Sequence, residues 1–441
     1  MTKLAGQSIL DSLAGRFEAF EKSLNGQSKS AVHQVRKEAF ASLNQTGFPA
    51  AKHEEYKFTN LTKALEKNID FGANEREASL SSDEIESVKI AGLEAYTLVF
   101  LNGHFSTELS DDVSEAGLSI ETFNSVAKEN ADELAAQFGQ LASTEDNPFI
   151  ALNTAFSQNG VVINVEHNSV ISKPIALYFI GETKKDQLFY NVRNIVSVGE
   201  MAQVTILEKF DTIGGEKAFS NVVNEISVAA AANAKYFKLE DDADNTYHIS
   251  NVKVTQAKDS TFTANTIALN GAMVRNNLDI RLEDQGCEAN MNGLYVLGGK
   301  THVDNHTVVD HLMPNSNSNE LYKGIMDDKS KGVFNGKIFV RQDAQKTNAF
   351  QSNKNILMTN DATVNTKPQL EIWADDVKCS HGCTTGQLDQ DALFYLQARG
   401  IKKEKARAIL LHAFASDVIE NLEIEAIQEH VEKIITERLE K

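Results

Sequence analysis

Phe334-Asn335-Gly336-Lys337-Ile338-Phe339-Val340 places apolar or small residues at 334, 336, 338 and 340. That period of two is the pattern of a strand with one buried face. The same alternation recurs at Val204/Ile206, Phe262/Ala264/Thr266/Ala268, Leu278/Ile280/Leu282 and Leu370/Ile372/Ala374. Asn270-Gly271, Asn292-Gly293, Gly298-Gly299, Asn335-Gly336 and Asn360-Asp361 punctuate these stretches as turns. From about 150 to 380 no helical pattern stands out, which predicts a large all-β unit. A two-sheet sandwich of that size would be unusual, whereas a solenoid grows by repetition. No clean period decides between them.

Outward from the strands lies Asp375-Asp376-Val377-Lys378-Cys379-Ser380-His381-Gly382-Cys383, holding two of the chain's three cysteines. Thiolate and imidazole are the donors that zinc, iron and iron–sulfur clusters favour. On a strand Val377, Cys379, His381 and Cys383 share one face. Side chains of one face recur about every 6.6 Å, so a straight strand aims two of the three at one metal. The set reads either as a buried Cys with a hydrogen-bonded His, or as a partial metal site completed by another subunit. Trp373, the single tryptophan, is expected to pack beside this segment.

Beyond it the chain turns helical. Asp389 fits an N-cap, Leu393 and Leu396 mark an apolar face, and Gly400 fits the C′ position. Further amphipathic helices are predicted over about 402–421 and 424–440. They read as a docking module or as a cap over the exposed end of the β unit. At the other terminus helices are predicted over 8–26 and 30–46, stopping at Gly26 and Gly47, and a third over 121–141. A strand runs from Tyr96 to Leu101 and ends at Asn102-Gly103. The expected division is 1–145 as an α-rich mixed domain, 146–383 as the β core and 384–441 as a helical domain.

Composition excludes several classes. The 441 residues are 41% hydrophobic and 24% charged, ordinary for a soluble globular chain. With 43 basic against 62 acidic residues the net charge is −19, which argues against nucleic acid and anionic membranes. Three cysteines make no disulfide framework, and Cys379 and Cys383 would stand about 13 Å apart on a strand. The start MTKLAGQSILDSLAGRFEAF has acidic residues and no long apolar core, so no signal peptide is expected. No apolar run approaches the ~18 residues of a membrane span. A cytoplasmic location is the expectation.

Other concentrations of chemistry are weaker. His302, His306 and His311, with Asp304 and Asp310, read as a solvated polar strand rather than a metal site; His302, Asp304 and His306 share one face and His311 the other. Gly293 to Thr301 imitates a phosphate loop, but the glycine spacing is wrong and strand residues follow, so a β-turn is predicted. Glu240-Asp241-Asp242 and Asp327-Asp328 read as turns rather than as glycosidase carboxylates.

Taken together, the chain resembles the SufB/SufD family of the SUF iron–sulfur cluster assembly system. The resemblance is carried by Tyr322-Lys323-Gly324, Val333-Phe334-Asn335-Gly336, Asp343-Ala344-Gln345-Lys346-Thr347, Leu370-Glu371-Ile372, Ala374 to Gly382 and Leu393-Phe394-Tyr395-Leu396 through Arg399-Gly400-Ile401. Fainter echoes lie at Phe48-Pro49, at Glu54 to Leu61 and at Asn102 to Ser106. The Lys-Cys-Ser-His-Gly run matches the SufD side of the family. It implies a mainly β fold, a right-handed parallel β-helix core with N-terminal α-rich and C-terminal helical domains. It implies a non-catalytic scaffold that pairs with a SufB-like paralogue through the β-helices and docks a SufC-like ATPase on the C-terminal helices. Leu393, Phe394, Tyr395 and Arg399 are the candidate contacts there. The implied cofactor is a transient iron–sulfur cluster shared with the partner, with a flavin in the complex left open. Cys379 and His381 fall on positions the family associates with the interface where the cluster forms. Cys383 stands where the family pattern has alanine, so a ligand role for it is not implied. Tyr56 replaces a common tryptophan. The rival expectations are a stand-alone zinc protein using Cys379, His381 and Cys383, and a β-helix enzyme acting on polysaccharide.

Overall fold

The computed structural model describes residues 4–24, 27–72, 77–145 and 147–439. Gly26 and residue 440, named above at helix ends, lie outside them. The chain winds back and forth between two sheets. The first collects Tyr96–Leu101, Ile175–Thr183, Gln203–Gly214, Asn233–Asp241, Thr261–Asn270, Glu288–Leu297, Asn317–Met326, Asn348–Leu357 and Lys378–Gly386. The second collects Leu118–Thr122, Val161–Val165, Leu188–Val198, Ala218–Val228, Thr246–Gln256, Met273–Leu282, His302–His311, Lys331–Val340 and Thr363–Ile372. Apart from Leu118–Thr122, which runs antiparallel to Val161–Val165, these neighbours run parallel from coil to coil. The protein is therefore mainly β, a parallel β-solenoid.

Asn317 lies opposite Asn348 and Asn348 opposite Lys378, so a coil takes about 30 residues. The step is not constant, since Ile175 faces Ile206 while Asn233 faces Thr261. That drift is why no repeat is visible in the sequence.

Strand alternation sends one set of side chains into the lumen and the other outward. Ile206, Phe210, Phe262, Ala264, Leu278, Ile280, Tyr322 and Phe334 meet inside in one continuous core. Each such large apolar side chain contributes roughly 1.5–3 kcal/mol on burial. The lumen also takes charge. Glu240, read above as part of a turn, instead lies in the strand Asn233–Asp241, fully buried, 2.9 Å from Lys238 and 3.1 Å from His248. Polar side chains of successive coils satisfy one another there, which a single strand's sequence does not reveal. Asp327-Asp328 does form a turn, Asp328 having φ of 53°.

The outer faces are roofed by helices. Gln7–Ser23, Ala31–Thr46, Leu61–Asn68 and Pro148–Phe156 cover the second sheet, with Phe17, Leu43 and Phe149 sharing a core with Phe189, Phe219 and Ile249. The helix Pro148–Phe156 falls at the start of the stretch read as strand and turn. Its eight residues Phe149 to Phe156 are all buried, so it shows no amphipathic stripe. Its signals are the Asn147 cap and Pro at the first turn. The region 121–141 forms two short helices, Phe123–Glu129 and Ala131–Gln137.

On the other side Lys403–Ile419 and Glu425–Leu439 lay Leu411, Ala415, Val418, Val431 and Ile435 against Phe237, Leu239, Ile267, Leu294 and Ile325 of the first sheet. These helices roof a sheet face and do not cap the solenoid's end. At the C-terminal end, Thr363–Ile372 and Lys378–Gly386 are the last members of their sheets, and among the described residues no strand pairs with their outer edges.

Candidate functional site at the open end

The last strand, Lys378–Gly386, pairs with Asn348–Leu357 so that Cys379 faces Ala349, His381 faces Gln351 and Cys383 faces Asn353. Ala349, Gln351 and Asn353 are buried in the lumen. Register therefore gives Cys379, His381 and Cys383 the inward phase. In any earlier coil they would be buried. Here no coil follows, so His381 and Cys383 are exposed and Cys379 is half-buried. The expectation that the three share a face with Val377 holds, and that face is the wall of the lumen mouth.

Cys379 packs with Val377 and Leu370 beside Ile338 and Val340, and burial pushes its thiol upward. Cys383 Sγ lies 2.9 Å from Thr366 Oγ1 of the second sheet's last strand and 3.9 Å from Asn353 Oδ1. All three cysteines are free thiols. Cys287 is buried three coils inward and donates to the Ala257 and Asp284 carbonyls at 3.1 and 3.2 Å. Among the described residues no group of three or more His, Cys, Asp or Glu is arranged to hold a metal.

The histidine strand His302–His311 is buried, not solvated as expected. The segment Glu54–Thr59, far away in sequence, lies over it. Thr59 Oγ1 meets His302 Nε2 at 3.0 Å, and Glu55 reaches Lys337 Nζ at 2.6 Å and His306 Nδ1 at 3.6 Å. Asp304 sits 2.9 Å from both His306 Nε2 and Arg275 Nη1. Burial opposes its charge, but the His306 and Arg275 charges prevail and hold it well below the usual carboxylate range. With Arg275 and Lys337 already neutralising the carboxylates, the cluster is a structural network. His311 points the other way, into the lumen, donating or accepting at Ser318 Oγ over 2.9 Å. Burial lowers its pKa to about 4.

Trp373 stacks on Phe339 at 6.4 Å beneath the Arg341 guanidinium, on the outer face rather than beside the Cys379 segment. The Gly298-Gly299 turn is as expected, with the Gly299 amide donating to Asp328 Oδ2 at 2.8 Å.

Past the open end, Gln390–Ala398 is capped by Asp389, whose side chain accepts from the Asp391 and Ala392 amides at 2.9 and 3.1 Å. Gly400 takes the left-handed φ of 85° that ends it. Leu393 is buried, whereas Phe394 and Tyr395 are 71% and 58% exposed. Arg399 Nη2 donates to Tyr395 Oη at 2.8 Å. No described helix is long and apolar enough to cross a membrane.

Sequence reasoning missed Glu320, Gln351 and Asn353, the polar residues of the inward phase just behind the mouth. Their signal was polarity at alternate positions of apolar-looking strands.

A model described as the SUF system FeS cluster assembly SufBD core domain matches residues 179–414, and one of the SufBD protein N-terminal region matches 8–177. The chain belongs to the SufBD family. It is 31% identical over 424 residues to an iron–sulfur cluster assembly SufBD family protein of Synechocystis, covering 94% of this chain and 92% of that one. It is 31% identical to the iron–sulfur cluster assembly protein SufD of Escherichia coli over 399 residues, 90% of each chain. The SufD of Bacillus subtilis is 23% identical over 402 residues, 89% of this chain and 90% of its own. This SufBD protein thus has a role in iron–sulfur cluster assembly.

Proposed function

We propose that this SufBD protein is a non-catalytic, cytoplasmic scaffold subunit that holds part of a nascent iron–sulfur cluster where its open end meets a SufB-like paralogue. The observation that carries the reading is the coincidence of two features. Among the described residues the last coil leaves long edge strands unpaired, and the same coil bears the inward-phase Cys379, His381 and Cys383. Unpaired strand edges of that length invite pairing with another chain. A second solenoid continuing the sheets would enclose the three side chains and bring the donors that one strand cannot supply. Iron and sulfide are then cargo assembled at the junction, with His381 the leading ligand, Cys379 the second and Cys383 an auxiliary thiol.

In this reading residues 146–383 form the pairing body and residues 384–441 dock a SufC-like ATPase. Exposed Phe394 and Tyr395, with Arg399 beside them, supply the aromatic and guanidinium anchors that interfaces favour. Residues 1–145 brace the body.

The deciding experiment reconstitutes the chain with a SufB-like and a SufC-like protein and compares iron and sulfide content for the intact chain and His381→Ala. A loss of about tenfold or more is expected for the variant. Equal content in both would remove His381 from the coordination sphere. Tight stoichiometric zinc in the isolated chain would favour a self-sufficient metal protein instead.

A further inference from the structure

Glu320, Gln351 and His381 occupy one register position on three successive strands, Glu320 opposite Gln351 and Gln351 opposite His381. Neighbouring strands stand about 4.8 Å apart, so side chains of such a ladder stack on one another. The Glu320 carboxyl is buried and accepts from Thr307 Oγ1 at 2.5 Å and from Gln351 Nε2 at 2.7 Å. That second bond fixes the amide of Gln351 and turns its Oε1 away from Glu320. Oε1 is buried, and among the described residues nothing donates to it. A buried carbonyl left unpaired is destabilising. The next group outward along the ladder that carries an N–H is the imidazole of His381.

The lumen wall is shaped for this amide. A Cβ on Gly336 would fall 2.2 Å from Gln351 Nε2 and 2.8 Å from its Cδ, so only glycine leaves room. The Asn335-Gly336 pair in the opening stretch thus serves packing across the lumen rather than a turn.

We propose that Gln351 is the positioning residue of His381: its Oε1 accepts one ring N–H, fixing the tautomer and leaving the other ring nitrogen free to face the open end. This rests on the reading of His381 as a ligand. A neutral imidazole has one donor and one acceptor nitrogen, and the hydrogen bond made by the donor sets which nitrogen meets the metal. Metal-binding histidines are commonly held through their second nitrogen in this way. Glu320 acts one step further back, holding the amide against rotation.

The test uses the full chain with nitrogen-15 in its histidines and a long-range nitrogen–proton spectrum, the His381 ring being assigned by its absence in His381→Ala. One tautomer is expected to dominate in the intact chain, and Gln351→Leu shifts it toward the mixture of a free imidazole. Because that variant strands the Glu320 carboxyl, Glu320→Leu/Gln351→Leu is measured too; removing both partners of that bond leaves neither one stranded. An unchanged tautomer in both variants overturns the proposal. In the reconstituted complex the double variant is expected to lower iron affinity about tenfold or more. If His381→Ala leaves iron and sulfide content intact, the ligand reading fails alone, and the tautomer spectrum still decides the role of Gln351.

Discussion

At its N-terminal end the solenoid stops on short antiparallel strands, His104–Ser106 beside Tyr96–Leu101 and Leu118–Thr122 beside Val161–Val165. At its C-terminal end it stops on two full-length strands, Thr363–Ile372 and Lys378–Gly386, whose partners lie on one side only. Short strands, reversed in direction, prevent another coil from joining. Asn102 and Gly103, with φ of 51° and 85°, make the tight hairpin that reverses the first of them. Among the described residues the C-terminal end has no such device, and its inward phase carries Cys, His and Cys where the coil before it has Ala349, Gln351 and Asn353. The contrast teaches that the fold is sealed where it begins and unfinished where the candidate ligands sit. Substitutions toward the sealed end should act on stability, and those at the open end on assembly.

The largest effect is expected near the sealed end. Glu225, on the outer face of the second sheet, accepts from the Gly139, Leu141 and Ala142 amides at 2.8, 2.8 and 3.0 Å and from Arg193 Nε at 3.0 Å. Both ionic partners are buried, and the Arg193 guanidinium also lies 4.9 Å from the Phe138 ring. Glu225→Ala would leave a buried guanidinium and three amides without their acceptor. A loss of about 3–5 kcal/mol in urea unfolding is expected, with iron and sulfide content of the folded fraction unchanged. A loss below about 1 kcal/mol would show that this stitch does not hold residues 138–142 to the sheet.

A smaller effect probes the boundary between the two regimes. Burial pushes the Glu320 carboxyl up to about 7, against the opposing hydrogen bonds from Thr307 and Gln351. In the unfolded chain it would titrate near about 4.3. The native state therefore binds the proton more tightly, so stability falls as pH rises from about 4.3 to 7 and the full penalty persists above. Glu320→Gln carries no such proton. It should match the intact chain near pH 4.5 and gain about 3–4 kcal/mol at pH 8, read from urea midpoints across pH. A pH-independent difference would mean that Glu320 is not neutralised on folding.

The alternation Phe334/Gly336/Ile338/Val340 identified the strand and its inward phase because period two needs no knowledge of neighbours. Asp389 and Gly400 marked the helix after the open end because caps are local. The common face of Cys379, His381 and Cys383 was legible for the same reason. Long-range satisfaction was not. The His302–His311 strand looked solvated because Glu55 and Thr59, which cover it, lie more than 200 residues away. Glu240 looked like a turn because its partners Lys238 and His248 meet it inside a lumen that only the assembled coils create. The helical pattern after Asp389 marked Lys378–Gly386 as the end of the β core, but not that its inward phase would lie open at a lumen mouth, which is a property of the whole fold.

The smallest expected energy separates an open edge from a merely exposed one. Lys378 donates its N–H to the Thr347 carbonyl at 2.9 Å. In a parallel ladder alternate residues bond to the same neighbour, so residues 379, 381, 383 and 385 send their N–H groups toward the free side. Thr385 is the member of that set without a ligand-type side chain. Thr385→Pro removes an outward donor while keeping the inward ladder, and the extended backbone already suits a residue before proline. The isolated chain should unfold within about 0.5 kcal/mol of the intact protein. Its affinity for the SufB-like partner should fall about tenfold, or about 1.4 kcal/mol, as read by titration calorimetry. Undiminished affinity would mean that the partner reaches the Cys-His-Cys face without extending the sheet, and the bare edge would then be only the place where the chain stops coiling.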